Sequence, residues 1–579
     1  MIFKTVYFAP SFFVGDFVNL KGKYLSSAFI LLLSTVIVKV ISAIYKIPLT
    51  AFIGGVGRGY FAYAYNLCLP IHAVTMGAFP IALSKLVSSY NSKGDTSKVL
   101  SLKKGSFGMF SLVGFAGMAV LLCAAKPYSD LIAHSPKAVY TVMVLAPSVL
   151  FSCMGASYRG YFEGFLNMIP TAVSQTIDAL FKMIFGLLFA KYSMAYLFER
   201  YQATGMVLGT TACDEQTALS LIYPFTSACA MLGVTLGAFA SLCFLSVYSK
   251  YHCPKINVRL DTKSANTELL AFSFPIMVST CVQSVFQFLD TATIQLALST
   301  IDISVLRSMF SRSLKIVNIS DRDLPTYVFG VLSASLDFKN LVPGVTMALG
   351  ISAVPAISRA FEQKNKERFT VLVNSVYKYT VLLSSLGGIV LYVCSEEILN
   401  LFYGKNSRDI VVSSVDLVKY FALTVVFYSL AGTAVFAVQA IGLAKKSILP
   451  YAVSGVIRIV LNIVLVTDEH FVLYGAVISG AVGYAVLTAW NIVIFCKYTK
   501  IKFDFLRVIL LPLFVFGLTL YFCEILFKQP FLPDSTLGLI IIKGAISFVF
   551  YCILCFLCGM LNFKGFFCNY ITKKIHQKP

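Results

Sequence analysis

"FGMFSLVGFAGMAVLLCAA", residues 107–125, contains no charged side chain and is bracketed by Lys103, Lys104 and Lys126. The hydrocarbon core of a bilayer is about 30 Å thick and takes about 20 apolar residues in a helix, whereas a spanning strand needs only about ten. Every backbone polar group in lipid must be paired internally, so a run of this length reads as a membrane-spanning helix and not as a barrel strand. Runs of the same kind recur at 25–45, 60–86, 139–158, 170–190, 219–248, 269–298, 327–357, 377–394, 417–440, 448–466, 472–495, 506–526 and 537–561. The expectation is an all-α polytopic membrane protein with about fourteen transmembrane helices. Composition agrees, with 58% hydrophobic residues, 13% charged residues and a mean hydropathy of +0.81, far from the balance of a soluble domain.

The net charge of +21 is spread over many short loops and not gathered on one face, which argues against a nucleic-acid partner. Cytoplasmic loops retain lysine and arginine, and an inside N-terminus gathers the larger share of them into inside segments. Such segments hold Lys93, Lys98, Lys103 and Lys104, then Lys250, Lys255, Arg259 and Lys263, then Arg359, Lys364, Lys366 and Arg368, then Lys497, Lys500, Lys502 and Arg507. An even helix count then places both termini in the cytoplasm. Most of the fifteen cysteines lie inside apolar runs, where a thiol behaves as a small hydrophobe, so no structural disulfide is expected. No cleavable signal is evident in residues 1–24, which read as a cytoplasmic or interfacial extension.

The two halves of the chain repeat. "AFPIALSKLVSSYNSKGD" from Ala78 matches "AVPAISRAFEQKNKER" from Ala353, and "PTAVSQTID" from Pro170 matches "PYAVSGVIR" from Pro450. The expected organisation is an N-lobe at 25–250 (helices one to six), a cytoplasmic linker at 251–268, a C-lobe at 269–496 (helices seven to twelve), helices thirteen and fourteen at 497–561, and a basic tail at 562–579. An even number of helices per lobe makes the copies parallel. Asp178 and Arg458 occupy matching positions of the repeat with opposite charges. Either they serve a pathway, or each snorkels or pairs locally, Asp178 with Lys182.

Ionisable residues inside spanning runs are costly and normally face a cavity or a partner. Lys39 stands midway along the first run, too deep to snorkel easily, and Lys46 stands at its exit beside Pro48. Lys339 and Arg458 add two further cations. Asp290, with Gln283 and Gln287, lies on one helical stripe that lines a pathway, binds a coupling cation or makes a helix–helix seam. Arg159 and Glu163 are spaced for a local salt bridge or a gate. Pro70, Gly77 and Pro80 in the second run correspond to Pro343, Gly350 and Pro355 in the eighth, as expected of moving gate hinges or of static kinks. "GGVGRG" from Gly54 lacks dinucleotide spacing and reads as an outside turn; no phosphate loop, metal site, cofactor or catalytic constellation is expected.

The stretches "YKIPLTAFIGGVGRGYFAYAYNLCLPIHAVTMGAFPIALSKLVSSYNSKGD" (45–95) and "YRGYFEGFLNMIPTAVSQTIDALFKMIFGLLFA" (158–190), with "VPAISRAFEQKN" from Val354, closely resemble one branch of a flippase superfamily. This is the branch of stage V sporulation protein B and the polysaccharide transporters, and the superfamily also holds the lipid II flippases and the multidrug and toxin extruders. The resemblance implies a MATE-like fold of two pseudo-symmetric six-helix lobes around a central cavity, with two additional C-terminal helices. It implies a transporter and not an enzyme, moving polyprenyl-pyrophosphate-linked cell-wall or polysaccharide precursors across the bacterial cytoplasmic membrane, with cell-wall synthesis proteins as partners. It further implies that Lys39, Lys46 and Lys339 fall at or near cationic positions that engage pyrophosphate. The second-helix arginine of the lipid II flippases has no counterpart here, where His72 and the neutral run "AVTMG" stand instead. Two rival functions remain at this point: an organic-cation antiporter working through Asp178 or Asp290, and a non-transporting scaffold for wall or spore-cortex synthesis.

Overall fold

The computed structural model describes residues 23–165, 167–252, 261–363, 366–404, 407–501, 503–527 and 536–560. The expected extension before residue 23, residues 253–260 of the expected linker and the basic tail lie outside these residues. Almost everything described is helix, in chain order α1 (Lys23–His72), α2 (Phe79–Ser92), α3 (Thr96–Leu131), α4 (Ala138–Gly164), α5 (Ile169–Thr204), α6 (Glu215–His252), α7 (Thr262–Thr300), the short α8 (Ile303–Met309) and α9 (Ser311–Leu314), α10 (Leu324–Glu362), α11 (Lys366–Val393), α12 (Ser395–Tyr403), α13 (Arg408–Ala440), α14 (Ile448–Val466), α15 (Val472–Thr499), α16 (Leu511–Leu526) and α17 (Thr536–Leu557). A two-residue hairpin, β1 (Met206–Val207) with β2 (Thr210–Thr211), joins α5 to α6.

Among the described residues the apolar runs read from the sequence fall on helix, the second of them crossing from α1 through Ala73–Ala78 into α2. Eleven helical stretches among the described residues are long and apolar enough to cross a membrane, or twelve if Thr262–Phe274 and Ile276–Thr300 form one bent crossing. That is fewer than the fourteen expected, for two visible reasons. Leu33–Ser92 counts once although its 60 residues cover two expected runs, a length of about 90 Å in a helix against a 30 Å core. The eighth expected run lies on α10, which is not among the eleven counted over the described residues. The 41° bend in α7 falls where residue 275 is proline, the usual cause of a sharp kink. Large apolar side chains stand exposed along the helices, Leu112, Phe514, Ile541 and Leu557 among them. Such surfaces are unfavourable in water and suited to lipid chains.

By contact density the chain forms two units. The first takes the described residues up to Ile53, Tyr63–Leu131 and Ser135–Val285; the second takes Gly54–Ala62, Ile132–His134 and the described residues from Phe286 onward. Within the first unit α6 packs along α5 and α4, and α4 along α3. Within the second α13 packs along α10, α11 and α15, α15 also along α14, and α16 and α17 lie against α11.

In lipid there is no hydrophobic force between helices, so close backbone approach at small residues does the work. In the first unit, a Cβ on Gly237 of α6 would lie 2.6 Å from the Asp178 carbonyl oxygen of α5. In the second, a Cβ on Gly483 of α15 would run into the Arg458 side chain of α14. The repeat-related positions 178 and 458 are thus each covered by a glycine of the following helix.

Candidate functional site

Lys339, Arg458 and Asp290 of the second unit gather at one place. Lys339 of α10 is 9% exposed, and its ammonium lies 4.9 Å from the ring of Tyr428, 5.1 Å from that of Phe421 and 5.5 Å from that of Tyr484. Tyr428 and Phe421 come from α13 and Tyr484 from α15, so three helices build a cage whose π-faces attract a cation, worth about 2 kcal/mol when desolvated. Arg458 of α14 lies over the Tyr484 ring at 4.9 Å, and the rings of Tyr428 and Tyr484 are 4.4 Å apart. Arg458 Nη2 meets Asp290 Oδ2 of α7 at 2.9 Å. Asn462 Nδ2, one turn after Arg458, donates to Asp290 Oδ1 at 2.9 Å, while its own oxygen accepts from the Ser479 hydroxyl.

Two cations therefore face one carboxylate. Asp337, two residues before Lys339, does not offset the balance, because positions i and i+2 of a helix point apart. Its carboxylate is held by Arg58, which is 2% exposed. The cluster keeps a net positive charge in a low-dielectric surround, where an anionic group can exchange hydration for charge-assisted hydrogen bonds.

Sequence reasoning singles out Lys339, Arg458 and Asp290 separately, and the fold brings them together. Gln287, from the same expected stripe, is exposed, with its backbone oxygen accepting from Thr291. Tyr428, Tyr484, Phe421 and Asn462 were not singled out, since an aromatic in an apolar run carries no mark of its own. The one available signal was Asn462 following Arg458 by four residues.

The first unit holds a second group. Lys182 lies 4.8 Å from the ring of Tyr65 and 5.4 Å from that of Tyr45. Asp178 is within electrostatic reach of Lys182 and Arg159, and so is His72. Arg159 donates to the Ser152 carbonyl at 3.3 Å, and Glu163 accepts from the Thr171 hydroxyl at 2.9 Å. Lys39, exposed, and Lys46, half-buried, both lie on the part of α1 that belongs to this unit.

The expected hinges differ between the two helices. After Pro70, α1 ends at His72 and the chain passes through a π-helical segment, Ala73–Ala78, that contains Gly77, before α2 begins with Phe79 and Pro80. Single π turns of this kind are frequent at functional sites. Pro343, Gly350 and Pro355 lie inside the unbroken α10. A Cβ on Gly350 would lie 2.9 Å from the Phe436 ring, so that glycine serves helix packing.

The polysaccharide biosynthesis protein family matches residues 24–210, and the MatE family matches residues 309–464. Among curated proteins, the chain is 22% identical to the lipid II flippase MurJ of Bacillus subtilis (strain 168), over 84% of this chain and 85% of that one. It is 21% identical to stage V sporulation protein B of the same organism, over 81% and 82%. Among solved structures, an inward closed conformation of lipid II flippase MurJ superposes with a TM-score of 0.63 at 14% identity, covering 90% of this chain and 97% of that one. An inward-facing multidrug resistance MATE family transporter gives 0.54 at 12% identity, covering 81% and 99%. Two family matches in succession along the chain, two curated relatives aligned over most of their length and a shared fold point one way: the chain is similar in sequence and fold to the multidrug, oligosaccharidyl-lipid and polysaccharide flippase superfamily, and the relatives it matches are membrane transporters and not enzymes.

Proposed function

We propose that the protein is a flippase for a polyprenyl-pyrophosphate-linked saccharide, a cell-wall or polysaccharide precursor, working by alternating access in a bacterial cytoplasmic membrane. The observation that carries this reading is the buried cluster of Lys339, Arg458 and Asp290 within the ring cage of Tyr428, Tyr484 and Phe421. A pyrophosphate offers concentrated negative charge on a small group, and the cluster has positive charge to spare. Lys339 is the primary ligand, because Arg458 is already shared with Asp290. Lys39 and Lys46 supply further cations along α1, and the π-helical segment around Gly77 is the hinge. The similarity to a lipid II flippase and to stage V sporulation protein B supports the substrate class, with peptidoglycan synthesis as the setting and its wall-synthesis proteins as neighbours. An organic-cation antiporter needs an available carboxylate; Asp290 already accepts from Arg458 and Asn462, which disfavours that rival.

The test is translocation of lipid II in proteoliposomes. Lys339→Ala is expected to slow it at least about tenfold, the loss of one charge-assisted contact, with membrane insertion and melting temperature close to wild type. Unchanged translocation by a well-folded Lys339→Ala protein would overturn the assignment of the site.

A further inference from the structure

A polar cavity also lies within the second unit, on the same α13 and α15 that supply the rings of the Lys339 cage but nearer their N-terminal ends. It has a volume of about 340 Å³ and is lined by Ser308, Ser311 and Arg312 from the α8–α9 segment, by Ser413 and Asp416 from the first turns of α13, and by Tyr474 from the start of α15. Its floor is fixed. Tyr327 and Ser413 share a hydrogen bond of 3.2 Å, the Ser413 hydroxyl donates to the Asp409 carbonyl at 2.9 Å, and the Tyr474 ring is braced edge-on by Tyr420 at 5.0 Å. Asp416 and Tyr474 are within electrostatic reach of one another. The α8–α9 segment follows the seventh expected helix, which starts from the linker expected in the cytoplasm, so the expected orientation puts the segment outside.

We propose that this cavity binds the saccharide part of the cargo on the outer side, through sugar hydroxyls and an acidic substituent; the identity of the cargo rests on the function proposed above. Several hydroxyl groups, one carboxylate and one guanidinium beside the rings of Tyr474 and Phe310 make a poor site for a wholly apolar ligand. They match a pyranose ring, whose hydroxyls both donate and accept and whose C–H face packs on an aromatic ring. Asp416 accepts from sugar hydroxyls or an amide N–H. Arg312, whose planar fork pairs with carboxylates, selects a sugar bearing an acidic group. Tyr474 supplies the stacking face.

The test uses the full chain in nanodiscs, with binding of N-acetylmuramic acid and N-acetylglucosamine followed by saturation-transfer NMR. The acidic sugar is expected to bind more tightly, and Arg312→Ala to weaken it about tenfold while leaving N-acetylglucosamine nearly unchanged. Asp416→Asn is expected to weaken both sugars. Equal binding of both sugars by wild type and Arg312→Ala, or no binding by a wild-type protein that still translocates lipid II, overturns the cavity assignment and leaves the flippase reading standing. Sugar binding that needs Arg312 in a protein that moves no lipid-linked sugar upholds the cavity and sinks the flippase reading.

Discussion

Arg458 and Asp290 depend on one another, because Arg458 is buried and Asp290 half-buried beside it, where water replaces a lost partner poorly. Removing one member of a buried pair leaves an uncompensated charge at a cost of about 3–5 kcal/mol, whereas replacing both with apolar residues is often neutral. Asp290→Ala is therefore expected to lower the melting temperature of the purified protein sharply, and Asp290→Leu with Arg458→Met to recover most of it. A double variant as unstable as the single one would show that the pair is not the unit. Read along the chain, 290 and 458 are just two charges in apolar runs, and what makes them partners is a contact between positions 168 apart. Lys339 was legible as a costly buried cation, but its cage was not. Nothing in a one-dimensional pattern separates Tyr428, whose ring faces an ammonium, from an aromatic that faces lipid.

The helices themselves were legible, because a bilayer imposes one length and one polarity on every crossing and leaves the backbone no alternative. Their ends and breaks were less so. "GGVGRG" reads as a turn from its glycine content, yet it lies inside α1, with Gly54 at φ 66° as the break. Gly55 and Gly59 are four apart, the spacing that lets two helix backbones touch, and that spacing was the overlooked signal. A Cβ on Gly330 of α10 would collide with the Gly55 carbonyl, and one on Gly59 would lie 2.7 Å from the Thr326 methyl. Gly330→Ala is expected to destabilise the protein by about 1–3 kcal/mol through overpacking, with Gly517→Ala, where nothing lies within 4 Å, as a neutral control. Equal melting temperatures for the two variants would refute the seam. At the start of α6, Asp214 accepts from the backbone N–H of Thr217 at 3.0 Å and from its hydroxyl, which holds the carboxylate below its usual range. A lowered folded value means that the cap is intact above the unfolded value and is lost as pH falls through the folded one. Amide exchange at residues 215–218 is expected to rise at acid pH in wild type and to be raised already at neutral pH in Asp214→Ala.

At the scale of the molecule, the repeat is the part of the architecture the chain displays most openly. Pro170 and Pro450 announce equivalent helices, and the glycines at 237 and 483 cover equivalent positions on them. The two C-terminal helices lie outside the repeat and are attached differently. Lys543 of α17 makes an ion pair with Glu397 of α12, so a buried charge fastens the last helix within the second unit.

Arg58 also sets an order of events. Its partner Asp337 lies 279 residues later in the chain, and at 5–20 residues per second the ribosome needs about 15 to 60 s to reach it. For that interval a nascent protein carries an arginine destined for burial with no carboxylate to receive it. The Gly54–Ala62 segment must wait for the rest of its unit, and maturation of the second unit is completed by a segment made almost at the beginning of synthesis.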